Sequence, residues 1–119
     1  MTTKLYTDLG QSRKLAEFLP IESADMWYHG HGSPWESERE FDSDACPFHS
    51  MRPNWDIPCW SLVGLLNILP SSTLDSSDDH HYRVHCKEMF TDWYDNPIDA
   101  CVVMIDRLHK QMIYDFNNS

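Results

Sequence analysis

Ile57-Pro-Cys-Trp-Ser-Leu-Val-Gly-Leu-Leu-Asn-Ile-Leu-Pro70 is the most strongly apolar segment of the chain and sets its architecture. Pro58 suits the first turn of a helix and Pro70 ends one. Leu62, Leu65, Leu66 and Leu69 fall on one stripe, and Val63 and Ile68 extend that stripe around the axis. A short helix that is apolar nearly all round has to be buried. The sequence therefore predicts a central helix with other elements packed over it.

Downstream, Ser71 to Asp79 is polar and acidic and predicts a loop. Tyr82, Val84 and Cys86 then alternate with His81, Arg83 and His85, and Met89 to Tyr94 alternates again. The two runs predict antiparallel strands joined near Lys87-Glu88, although that dipeptide lacks the glycine or asparagine that tight hairpins favour. Asn96 and Pro97 are a cap and first position for a last helix. Its apolar positions, Ile98, Cys101, Val102, Ile105, Leu108 and Met112, carry it to about Tyr114.

Upstream, residues 8–19 predict a helix capped by Thr7 or Asp8, with Leu15, Phe18 and Leu19 inward and Pro20 as the stop. Ala24 to His29 predicts a short aromatic strand. Residues 30–56 predict a long loop, anchored on the core by Trp35, Phe41, Phe48 and Trp55. The order helix, strand, helix, strand, strand, helix predicts an α+β domain spanning residues 1–119. Its small antiparallel sheet, about three strands, carries two or three helices on one face.

The 119 residues suffice for one core, with 41% hydrophobic and 13% aromatic side chains. The formal net charge of −10 repels phosphate backbones and anionic membranes, which excludes direct nucleic-acid binding and membrane docking. That charge is localised. Residues 22–56 carry eight acids against Arg39 and Arg52, and residues 75–99 seven against Arg83 and Lys87. The start of the chain lacks the apolar core of a signal peptide, and no apolar run nears the ~20 residues of a membrane helix. A cytoplasmic protein is expected, with Cys46, Cys59, Cys86 and Cys101 as reduced thiols.

Ala24-Asp-Met-Trp-Tyr28, the Ile57–Pro70 segment and Asp95-Asn-Pro-Ile-Asp-Ala100 together resemble an uncharacterised family of short acidic proteins from mobile elements and prophages of gut bacteria. The segments make up about a fifth of the chain. The resemblance implies a bacterial or phage origin and a small α+β fold. That family has no assigned activity, so the resemblance carries over no site.

Three groups of residues are candidates for function. Glu36, Glu38, Glu40, Asp42 and Asp44 alternate, so an extended chain would show five carboxylates on one side, ~6.6–7 Å apart. Such a row suits a basic protein partner, in the manner of a DNA mimic or an anti-defence protein, and equally a solvated loop. Trp35 would anchor that partner, or staple the loop to the sheet. His29, His31, Cys46 and His49 offer three imidazoles and a thiolate, the donor set of a tetrahedral zinc site, structural or hydrolytic. They read equally as histidines of an exposed loop with an incidental cysteine.

His85 and Cys86 fall on opposite faces of a strand and cannot act as a nucleophile pair, so no catalytic residue is assigned. The reading expected from the sequence is an acidic interaction protein of phage or mobile-element origin, with no cofactor other than a possible zinc ion.

Overall fold

The computed structural model describes residues 4–32, 35, 39–47, 52 and 55–116. Among these residues, helices α1 (Leu9–Ala16), α2 (Leu62–Ile68) and α3 (Pro97–Lys110) accompany six short strands. The strands β1 (Met26–Tyr28), β2 (Cys46–Pro47) and β3 (Ile57–Cys59) form one antiparallel sheet in the order β2-β1-β3. A second antiparallel sheet, β4-β5-β6, contains β4 (Ser72–Ser76), β5 (Tyr82–Cys86) and β6 (Met89–Phe90). The fold is α+β.

Helices α1 and α3 begin as their sequences demand. Asp8 caps α1 through a reciprocal pair of hydrogen bonds with Gln11, a capping box. Asn96 caps α3, its side chain accepting from the Asp99 N–H at 2.8 Å, and Pro97 follows. Ile98, Cys101, Ile105 and Leu108 are fully buried, joined by Ala100 and Met104. Burying an aliphatic side chain of this size contributes about 1.5–3 kcal/mol, so this face is the largest apolar commitment of any helix here. It packs on β5, where Val84 and Cys86 point inward, and on α2. Trp60, Leu65 and Leu15 complete the core.

The structure departs from the sequence reading in five places. Within the expected loop of residues 30–56, β2 pairs with β1, Cys46 opposite Trp27. The central segment is a strand followed by a helix: Ile57–Cys59 pairs with β1, placing Pro58 opposite Trp27, and Ser61 rather than Pro58 starts α2. β3 lies at a sheet edge, where a residue without an N–H costs no ladder bond. Its pairing with β1 yields two sheets in place of one.

Ser72–Ser76 is also a strand. Every residue of it has a partner in β5, from Ser72 opposite Cys86 to Ser76 opposite Tyr82. A polar, half-exposed edge strand has no apolar alternation to announce it.

Helix α3 stops at Lys110, short of Tyr114. The Ile113 N–H bonds the Leu108 carbonyl and the Met112 N–H that of His109, at 3.0 and 3.1 Å, with Met112 at φ 54°. This is a Schellman termination, and it leaves Met112 outside the core. Finally, the run expected to alternate to Tyr94 is interrupted: regular strand ends at Phe90, and the chain pairs with β5 again at Tyr94, opposite Tyr82.

The hairpin turn is where the sequence put it. Lys87 and Glu88 both adopt positive φ, 49° and 66°, the requirement of a tight turn that matches the strand twist.

Candidate functional site

Residues 40–44 of the acidic segment do not hang free. The His31 N–H bonds the Glu40 carbonyl and the Asp42 N–H bonds that of His29, both at 2.9 Å. Residues 40–42 therefore run antiparallel beside the end of β1, with Phe41 opposite Gly30. Phe41 is half-buried between the guanidiniums of Arg13 and Arg39, at 5.2 and 5.0 Å from its ring centre. Glu40 is exposed. The Asp42 carboxylate pairs with the His31 ring at 2.6 Å. The chain then bends at Ser43 and Asp44, and exposed Asp44 accepts from the Tyr6 hydroxyl at 3.2 Å. Burial, with the facing Asp44 carboxylate, pushes the Tyr6 phenol up. Glu36 and Glu38 lie outside the described residues.

Asp56 anchors the far end of the segment. Its carboxylate is 1% exposed and accepts from the Gly30 N–H, the Arg52 N–H and the Arg52 guanidinium. Burial opposes its ionisation, but the hydrogen bonds from Arg52 and Gly30 outweigh burial and hold the carboxyl below its usual range. Arg39 donates to the carbonyls of His31 and Trp55. A side chain at Gly30 would collide with that Trp55 carbonyl. Trp35 is 81% exposed, its ring edge-on to half-buried Trp55 at 6.4 Å.

His29 and His31 are brought together, their rings 5.2 Å apart. Both already have partners. His29 Nδ1 receives the Arg52 guanidinium at 3.2 Å, and His31 Nε2 is on Asp42. Cys46 is half-buried in β2, and His49 lies outside the described residues, as does Phe48. Among the described residues, no three His, Cys, Asp or Glu side chains gather in a way that could hold a metal ion.

The second acidic region surrounds β5. His85 and Cys86 do take opposite faces. The Cys86 thiol is buried and donates to the Pro70 carbonyl at 3.0 Å, while the His85 ring lies flat on Phe90 at 4.1 Å. Arg83 sits over both Phe90 and Trp93, at 4.5 and 4.6 Å, and pairs with Asp75 at 3.1 Å.

Sequence reasoning missed how Trp93 reaches this face. In the β5–β6 register Val84 opposes Thr91, yet Tyr82 opposes Tyr94. Asp92 and Trp93 thus both stand opposite Arg83, a one-residue bulge. The Thr91 hydroxyl makes it possible by accepting from the Val84 N–H at 2.9 Å in place of a backbone carbonyl. Without the bulge Trp93 would share the inward face of Tyr82. With it, Trp93 joins Arg83 outside and walls a cavity of about 420 Å³ with Ser77, Asp79 and His81. A threonine beside an Asp-Trp pair was the available signal.

No helix among the described residues is long and apolar enough to cross a membrane. Comparison with protein-family models, with curated proteins and with solved structures finds no match.

Proposed function

We propose that the protein is a non-enzymatic, acidic interaction protein of phage or mobile-element origin. It acts in the cytoplasm by binding a basic protein partner through its acidic loops. One observation supports this reading above others: every one of the nine basic side chains has an intramolecular partner. Lys4, Lys14, Arg52, Arg83 and Lys110 pair with carboxylates. Arg13 and Arg39 lie against Phe41, Lys87 faces Tyr114 at 5.8 Å, and Arg107 donates to the Phe90 carbonyl. The acids engaged by those ion pairs are Asp8, Asp56, Asp75, Asp99 and Asp106. Glu40, Asp44, Asp78, Asp79, Glu88, Asp92 and Asp95 are exposed. Among the described residues exposed acids outnumber exposed cations, and each cation is held by a partner within the molecule, so the field at the surface is negative, where it steers a positive partner and repels a negative one.

The test isolates the partner by affinity capture at low salt and measures its association rate. Glu36, Glu38, Glu40, Asp42 and Asp44 are then replaced together by their amides. Association slowed on the order of tenfold, with a flattened salt dependence, is the expected result. An unchanged on-rate overturns the reading.

A second reading, zinc held by His29, His31, Cys46 and His49, draws support from the neighbouring rings of His29 and His31. Elemental analysis of protein purified without chelator or His tag decides it. About one equivalent supports the site, and under about a tenth discards it.

A further inference from the structure

We infer that the cavity lined by Ser77, Asp79, His81 and Trp93 receives an arginine side chain of the basic partner, an inference that rests on the function proposed above.

The cavity is prebuilt by backbone. Ser77 and His81 close the β4–β5 turn, with the Ser77 N–H on the His81 carbonyl at 2.9 Å and the His81 N–H on the Ser77 hydroxyl at 3.2 Å. Across from it, Tyr82 and Tyr94 exchange two hydrogen bonds of 2.7 Å, which pins the residue before Tyr94. The backbone beneath the walls therefore needs little ordering when a ligand arrives.

Their chemistry selects a planar cation. Arg83 covers one face of the Trp93 indole, yet Trp93 stays 44% exposed and lines the cavity. The molecule thus already stacks a guanidinium on this ring, and a second can be taken on its open side. Asp79 supplies a carboxylate that accepts a forked pair of N–H groups, a geometry that an ammonium does not offer. Arg83 adds no net repulsion, since Asp75 neutralises it. Exposed Asp78, Asp92 and Asp95 flank these residues in the chain and disfavour an anionic occupant.

The probe is N-acetylarginine methylamide, with its citrulline analogue as the uncharged near-isostere and methyl glucoside as a neutral stacking ligand. The readout is the Trp93 indole N–H resonance, assigned by its loss in Trp93→Phe. A saturable shift is expected with the arginine probe, at least tenfold weaker with citrulline, and similarly weakened in Asp79→Asn. An equal response to citrulline, a stronger one to the glucoside, or none from arginine up to ~50 mM, where even a millimolar site saturates, overturns the inference.

With the isolated partner, Trp93→Ala should speed dissociation about tenfold or more, because buried anchors act on the off-rate. If association depends on the acids of 36–44 but Trp93→Ala leaves dissociation unchanged, the cavity inference falls alone. If the arginine probe shifts Trp93 while association ignores those acids, the loop reading falls and the cavity stands.

Discussion

The buried carboxylate of Asp56 is held by Arg52 twice, through its backbone N–H at 2.9 Å and its guanidinium at 3.0 Å. The same carboxylate takes the Gly30 N–H at 3.1 Å, so one side chain ties both ends of the acidic segment. Asp56→Ala would leave a buried N–H and a guanidinium without their acceptor. We expect a loss of about 2–4 kcal/mol in denaturant titration, with Asp56→Asn costing less because its carbonyl still accepts. A change under about 0.5 kcal/mol would show that the clamp does not stabilise the fold.

Gly30 sits where the Trp55 carbonyl approaches most closely. Gly30→Ala forces that carbonyl, the Arg39 guanidinium and the Phe41 ring all to move. Overpacking of this kind costs about 1–3 kcal/mol. Hydrogen exchange should rise first at the His31 and Asp42 amides, which carry the pairing of the segment. Unaltered protection there would refute the close approach.

Acid should unfold the protein in a defined window. Asp56 and Asp99 both lie below the usual carboxylate range. Burial opposes this at Asp99, where hydrogen bonds from Lys4, Asn96 and Gln11 outweigh it. Folded values below the unfolded ~3.9 mean full stabilisation above that pH, lost as pH falls through the folded values. Melting temperature should be level from neutral to about pH 5, then fall. The Asp56→Asn/Asp99→Asn double variant should fall less steeply.

At the alkaline end the sign reverses. Burial alone would lower Lys4, but its bonds to Asp99 and Asp8 raise it overall. Its contribution is complete below the unfolded ~10.4 and declines as pH rises through the folded value. Lys4→Met should flatten the alkaline limb of the same curve.

Positive φ at Glu88 and Met112, 66° and 54°, strains residues that carry a Cβ. Met112 is 90% exposed, so little packing is lost on truncation. Met112→Gly and Glu88→Gly should each stabilise by about 0.5–1 kcal/mol. Thermal denaturation measures both, and destabilisation by either would contradict the turn geometry described.

The thiols should react in a fixed order. Burial raises Cys59 and Cys86, and pushes Cys101 up to about 12. Thiolate is the reactive form. In native protein near pH 8, iodoacetamide should alkylate half-buried Cys46 first, as peptide mass spectrometry would show. Equally rapid labelling of Cys101 would mean that α3 opens far more readily than its buried face implies.

What the sequence determined by itself was local. A cap at Thr7 or Asp8, the Asn96 cap, Pro97, the apolar spacing of α3, the alternation of β5 and the Lys87-Glu88 turn are all properties of neighbours along the chain. Each was legible because capping and periodicity act within about four residues. The localisation of negative charge was legible for the same reason.

What tertiary structure decided was pairing. Whether Pro58 begins a helix or lies in a strand depends on Trp27, thirty-one residues away. Ser72–Ser76 becomes a strand because β5 supplies partners for its backbone. Trp93 faces outward because Tyr82 pairs with Tyr94 while Val84 keeps Thr91. A backbone N–H takes whichever acceptor folding brings to it, and composition does not record that choice.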